Sequence, residues 1–205
     1  MRGQRRQIRP RRCYGRANVT EIVKLRPGDG MYAMAAEALL NRELGRGIYA
    51  LGRLERDAAD PTAAVWIARE AGPQPVGAAV ARLLIPKDAA YYERFGPEAV
   101  ELFTGTVGSY EAVAVERRFR RRGTGRLLTE AGLQWMRRQG CDVAVTLAWL
   151  SGRKDSSPHL FRRLGFREWG TVERFYYEES LRDGWECPVC RGPCRCSATL
   201  FTLRL

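Results

Sequence analysis

The sequence predicts an α/β fold, on three observations. A strand pattern over residues 109–115 runs into the spacing Arg120-x-x-Gly123-x-Gly125 and then into an amphipathic helix over residues 126–139. Residues 141–150 form a nearly continuous apolar run, as expected of a central strand buried on both faces. Around these two anchors, strand-like and helix-like segments alternate through most of the 205 residues, the pattern of a sheet flanked by helices.

Taken in order, residues 19–25 suit a first strand, and Arg26-Pro-Gly-Asp-Gly30 is a turn leading into a helix over residues 31–44. That helix has apolar spacing at Met31, Met34, Ala35, Ala38 and Leu39 and ends near Gly45. Residues 63–69 and 76–84 read as a hairpin around the turn residues 70–75. The connection over residues 86–108 is long and carries Tyr91, Tyr92, Phe95 and Phe103, so it is either a wall of a substrate pocket or an aromatic packing layer. In the 109–115 strand, alternation puts Glu111, Val113 and Val115 on one face and Tyr110, Ala112 and Ala114 on the other. The next helix buries Leu127, Leu128, Ala131 and Trp135 and stops near Gly140. Ser157 and Pro158 open a short helix whose apolar side is Leu160, Phe161 and Leu164, and residues 170–179 and 197–205 form a closing antiparallel pair.

The glycine loop has its own chemistry. At a helix N-terminus the first N–H groups lack internal partners and carry partial positive charge, so they bind an anion such as a pyrophosphate. Gly123 and Gly125 permit positive φ and close main-chain approach, while Arg120, Arg121, Arg122 and Arg126 supply planar donors suited to phosphate oxygens. The bare pattern also fits an arginine-rich solvated turn.

The net charge of +12 favours acidic partners: nucleic acid, an anionic membrane or a phosphorylated cofactor. Its lysines are Lys24, Lys87 and Lys154, so nearly all of the positive charge is arginine, a skew that genome composition also produces. Residues 1–17 form a basic arm with Arg2, Arg5, Arg6, Arg9, Arg11, Arg12 and Arg16 and no acid, read as a flexible ribosome- or nucleic-acid-binding segment, a plain tail or a misassigned start, with a transit peptide disfavoured by the lack of serine. No apolar run has membrane-span length and no secretory stretch precedes the fold, so a cytoplasmic protein without a membrane partner is expected.

Near the C-terminus, Cys187-Pro-Val-Cys190-Arg-Gly-Pro-Cys194-Arg-Cys196 places four thiols within one loop between the last two strands. The first pair resembles a zinc knuckle, and Cys194 and Cys196 point to one side of an extended segment. Four converging thiolates make a closed structural Zn²⁺ site; an iron–sulfur cluster, redox disulfides and free thiols are the alternatives. Cys141 begins the buried strand and is read as packing.

The order of elements, with Val115-x-x-x-x-Arg120-x-x-Gly123-x-Gly125 and Leu160-Phe-Arg-Arg-Leu-Gly-Phe166, resembles the GNAT superfamily of N-acetyltransferases. The resemblance spans about residues 18–205. It implies a mixed sheet of about six or seven strands, splayed at an acetyl-CoA site. It further implies that the main chain of Val113, Ala114 and Val115 pairs with pantetheine and that amides from Arg121 through Gly123, Thr124 and Gly125 to Arg126 hold the pyrophosphate, with Phe161 against the cofactor. Glu111 is the candidate general base for a protonated amine, with Ser109 holding a relay water; the alternative for Glu111 is an ion-paired strand carboxylate. Phe161 stands where many members have a proton-donating tyrosine, and His159, on another side of that helix, is read as a surface group. The expected function is acetyl transfer from acetyl-CoA to a primary amine, on a small molecule, a protein N-terminus or a lysine. The competing reading is a non-catalytic CoA-binding module that contacts RNA or protein through its arm and cysteine loop.

Overall fold

The computed structural model describes residues 20–70, 72–152 and 157–205. The basic arm and Cys13 lie outside the described residues. The chain order is β1 (Glu21–Lys24), α1 (Gly30–Glu43), α2 (Arg53–Ala59), β2 (Ala63–Arg69), β3 (Pro75–Leu83), α3 (Pro97–Glu101), β4 (Val107–Val115), α4 (Thr124–Arg138), β5 (Val143–Leu150), α5 (Pro158–Arg163), β6 (Arg167–Val172), α6 (Tyr177–Asp183) and β7 (Ser197–Arg204). A 3₁₀ segment, Pro86–Phe95, precedes α3. The strands form one seven-stranded sheet in the order β1-β2-β3-β4-β5-β7-β6, in which β4 and β5 are parallel and the other neighbours antiparallel.

Two apolar layers flank the sheet. On one face, Leu39, Leu40 and Leu54 of α1 and α2 pack against Val65, Ile67, Val80, Ala112 and Ala114. On the other, Leu128, Leu133, Trp135 and Met136 of α4 meet Trp66, Tyr110, Ala144, Phe161 and Phe201. The 86–104 connection adds a third cluster, with Tyr92 and Ala99 against Val107, Val145 and Leu200.

Several expectations change. Strand alternation over residues 109–115 is broken by a bulge: Tyr110 pairs with Ala81 and Ala112 with Val80, so Glu111 is an extra residue in β4. One added residue switches the face of everything beyond it. Tyr110 therefore lies with Val113 and Val115 on the α4 side, while Ala112 and Ala114 face α1, and Glu111 does not share a face with Val115. In α1 the buried positions are Ala33, Ala36, Glu37, Leu39 and Leu40, whereas Met31 and Met34 are 84% and 55% exposed. This helix is apolar nearly all round, so spacing alone leaves its rotation open. In α4, Leu127 is 41% exposed. Residues 170–179 are not one strand, since the chain leaves the sheet at Val172 and turns into α6.

The short helix α2 was not visible as a pattern, and a buried carboxylate holds it. Glu37 of α1 accepts hydrogen bonds from Gly52 N–H (3.1 Å) and Leu54 N–H (2.8 Å), satisfying donors in the first turn of α2. Glu37→Ala would leave two amides without partners and is expected to cost about 1–3 kcal/mol, read as a lowered unfolding midpoint in a thermal melt.

Candidate active site

The parallel pairing of β4 with β5 stops at Ser109 opposite Val145. Just beyond it, Thr146 Oγ1 donates a hydrogen bond to the Tyr110 carbonyl at 2.8 Å, and from there the two strands part. Thr146 takes up the last carbonyl before the gap, and the edge of β4 from Glu111 onward is not paired with β5. A cavity of about 1250 Å³ opens there. It is lined by Ser109, Glu111, Val113, Ala114, Val115, Arg120, Arg121, Gly123, Gly125, Arg126 and Phe161 among the residues singled out from sequence.

Arg122 and Thr124 do not line it. Arg122 turns toward Glu70 (3.6 Å) and the Phe119 ring, and Thr124 is buried at the start of α4. Arg120 lines the cavity but is also a structural brace: its Nε donates to the Val115 carbonyl at 2.8 Å and its Nη2 pairs with Glu43 at 2.5 Å. The loop thus hangs from both the end of β4 and the end of α1.

The two glycines differ in kind. Gly123 is the N-cap of α4 with φ 89°, whereas Gly125 lies within the helix without positive φ. Arg121, a non-glycine residue, also takes a left-handed conformation with φ 64°. Such backbone is unfavourable away from glycine and is retained where surrounding structure enforces it, often at ligand-binding loops.

Glu111 lines the cavity and is ion-paired. Its Oε2 receives Arg53 Nη2 at 3.1 Å and its Oε1 receives Arg82 Nε at 3.3 Å. Arg82 continues to Asp57 (2.6 Å) and Asp60 (3.1 Å), so β3, β4 and α2 share one charge network. Beside it, Ser109 and Tyr92 both line the cavity, and burial pushes the pKa of the Tyr92 hydroxyl up to about 12. Tyr49 stacks under Arg53 at 5.1 Å, and burial, reinforced by the Glu111 charge, also raises its pKa. Both phenols are therefore neutral donors near neutral pH.

Phe161 is 2% exposed and packs against Tyr110, Phe166 and Phe201. His159 lines the cavity from an exposed position. Sequence reasoning did not find Tyr49, Trp149, Tyr176, Glu179 or Trp185, all of which line the cavity. They come from irregular segments, from the short helix α6 or from the far strand of the splay, and only the tertiary fold gathers them.

The cysteine loop forms a compact cluster. The Sγ atoms of Cys187, Cys190, Cys194 and Cys196 all lie within 4.8 Å of one another, with Cys187–Cys196 at 4.0 Å and Cys190–Cys196 at 3.7 Å. Tetrahedral thiolate coordination at about 2.3 Å puts sulfurs about 3.8 Å apart, and a disulfide needs about 2.05 Å. Arg191, with φ 58°, tightens the knuckle so that Cys190 N–H points at the Cys187 sulfur (3.4 Å) and Arg195 N–H at the Cys190 sulfur (3.3 Å). Such N–H···S bonds stabilise negative charge on sulfur, as metal-bound thiolates require. This group can hold a metal ion.

A parallel strand pair that parts over a glycine loop and helix N-terminus, beside an open strand edge, is the architecture of an acyltransferase. Residues 31–166 match the Acetyltransferase (GNAT) family, and the chain belongs to it. No protein of curated function matches it in sequence. Among solved structures, Arabidopsis thaliana NAA60 in complex with acetyl-CoA superposes with a TM-score of 0.64 at 14% identity, over 91% of this chain and 99% of that one. The Drosophila melanogaster polyamine N-acetyltransferase gives 0.59 at 19% identity, over 90% and 100%. The Escherichia coli ribosomal-protein-S18-alanine N-acetyltransferase gives 0.59 at 15% identity, over 91% and 94%. The family match ends before the cysteine loop.

The loop geometry separates two substitutions. A Cβ on Gly123 meets nothing within 4 Å, so Gly123→Ala bears backbone strain alone, about 1–2 kcal/mol. A Cβ on Gly125 makes only ordinary contacts, at 3.6 and 3.9 Å, and alanine favours helix. Thermal melts of the ligand-free protein should show a lowered midpoint for Gly123→Ala and an unchanged or raised one for Gly125→Ala.

Proposed function

We propose that the protein transfers an acetyl group from acetyl-CoA to a primary amine by direct attack within a ternary complex. The observation that carries this reading is the unpaired edge of β4 running toward the glycine loop. In this reading the edge-facing main-chain groups of the Val113, Ala114 and Val115 stretch continue the sheet with the amide groups of a pantetheine arm, apart from the Val115 carbonyl, which Arg120 Nε already takes. The pyrophosphate then lies on main-chain amides of residues 121–126, where the α4 dipole favours negative charge. Arg121 and Arg126 assist at the cavity surface; Arg120 contributes by holding the loop in shape.

The amine must lose a proton before attack, because an unperturbed lysine-like amine is mostly protonated at neutral pH. Glu111 takes that proton, directly or through a water shared with Ser109, and the pairs with Arg53 and Arg82 fix where its oxygens stand. A main-chain N–H on the open edge of β4 supplies the donor for the developing oxyanion. Phe161 offers no proton to the leaving group, and a thiolate, with a pKa near that of cysteine, departs without one. The acceptor occupies the end of the cavity near Tyr91, Tyr92 and Glu179, since the glycine loop defines the donor end.

Isothermal titration with acetyl-CoA should show stoichiometric binding, and thiol release should follow with at least one of agmatine, spermidine, an N-terminal alanine peptide or a lysine peptide. Glu111→Gln is expected to lower kcat by about 100-fold with acetyl-CoA affinity unchanged. An unchanged kcat would assign Glu111 to the ion-pair network alone.

The cysteine loop holds Zn²⁺ as a structural ion, bound by Cys187, Cys190, Cys194 and Cys196. The sulfur spacing and the N–H···S bonds support this over disulfides or scattered thiols. Elemental analysis of protein purified without chelator should find about one zinc per chain, as four thiolates close a single tetrahedral site.

A further inference from the structure

The connection between β6 and β7 carries two things at once. It supplies Tyr176, Glu179, Asp183 and Trp185 to the cavity, and it contains the four cysteines. Along β4, the glycine loop sits at the Val115 end, where Arg120 bonds the Val115 carbonyl. Tyr92 packs with Val107 at the opposite end, and the neighbouring Tyr91 hydroxyl donates to Glu179 at 2.8 Å. The β6–β7 connection therefore walls the end of the cavity remote from the cofactor loop.

That wall has little to hold it in place by itself. Its helix, α6, is seven residues long, too short to persist without tertiary support. Besides the hydrogen bonds from Tyr91 to Glu179 and from Arg94 to the Phe175 carbonyl, several of its supports come from the cysteine loop. Cys194 N–H donates to Ser180 Oγ at 2.8 Å, and Ser180 lies buried in α6. Trp185 packs with Cys187, Cys194 and Cys196 in a small cluster of its own. On its other side it abuts Gly45, where a Cβ would come within 3.1 Å of the Trp185 ring. Arg46 and Glu186 exchange main-chain hydrogen bonds of 3.0 and 2.9 Å, joining the wall to the α1–α2 loop.

We propose that the four-thiolate metal centre organises the acceptor wall: the ion bound by Cys187, Cys190, Cys194 and Cys196 fixes Trp185 directly and Tyr176 and Glu179 through Ser180. This rests on the zinc reading given above and goes beyond it. The wall is built around a core that is mostly sulfur, and four closely packed thiols attract one another weakly. One ion bonded to all four sulfurs makes that core rigid. The α4 layer belongs to a different apolar cluster, and the glycine loop is tied through Arg120 to Val115 and Glu43, so the cofactor end stands independently of the metal.

Hydrogen–deuterium exchange on the full chain, zinc-loaded against chelator-treated, tests this together with acetyl-CoA titration. Removing zinc should speed exchange at least tenfold in peptides covering residues 46–49 and 177–187. Peptides of α4 should be unchanged and the acetyl-CoA Kd should stay within twofold. Equal protection of the wall in zinc-free protein would overturn the proposal, as would a loss spread equally over α4. Chain purified without chelator that holds no zinc would overturn the metal reading beneath it, whereas failure to bind acetyl-CoA bears only on the donor site. Ser180→Ala offers a variant that leaves the thiols intact: zinc content should remain at one equivalent while α6 alone loses protection, and unchanged α6 protection would break the link.

Discussion

The parting of β4 from β5 governs the site. A continuous parallel pair would satisfy the main chain of both strands and leave no space between them. The separation costs β4 its ladder partners beyond Ser109, and the fold limits that cost locally: Thr146 takes the Tyr110 carbonyl, and Arg120 takes the Val115 carbonyl at the far end. What is left between these two points is a short edge of unsatisfied main chain facing a cavity. The bulge at Glu111 belongs to the same solution, because it lets Tyr110 anchor under α4 while Glu111 faces the charge network on the other side.

From that constraint, division of labour follows. The α4 side carries the glycine loop and a large apolar layer, so the proposed cofactor end rests on stiff elements. The opposite end is assembled from the 86–104 connection, α2 and the β6–β7 connection, none of which is a long element. These pieces are joined by polar ties: Glu37 to the start of α2, Tyr91 to Glu179, Arg94 to the Phe175 carbonyl at 2.7 Å, and Arg46 to Glu186. Acceptor specificity within a shared fold can then vary by exchanging ties and loops without disturbing the donor site.

Much of this architecture was legible in the sequence because local periodicity and tertiary burial agree there. β2, β3, β5 and α4 fall within a residue or two of their patterns, and the glycine loop and cysteine cluster announce themselves by spacing. The failures share a cause. A bulge adds one residue without any compositional mark, so the face of Val113 and Val115 relative to Glu111 was misread. Helix α1 is apolar nearly all round, and its rotation is set by what it packs against. The aromatic residues of the acceptor end are distant in sequence and sit in irregular chain, where no period exists to read. Arg122 and Thr124 belong to the loop motif, yet Arg122 turns out of the loop toward Glu70 and Phe119 and Thr124 is buried in the first turn of α4.

The arginine bias also has a chemical meaning at this site. The cations lining the cavity are Arg53, Arg120, Arg121, Arg126 and Arg163, with no lysine among the described lining residues. A guanidinium remains protonated and is a poor nucleophile, whereas a lysine amine is the very kind of group that the proposed reaction consumes. In the proposed reaction, guanidinium cations among the described lining residues would let the cavity hold a reactive acyl donor through many catalytic cycles without themselves being modified.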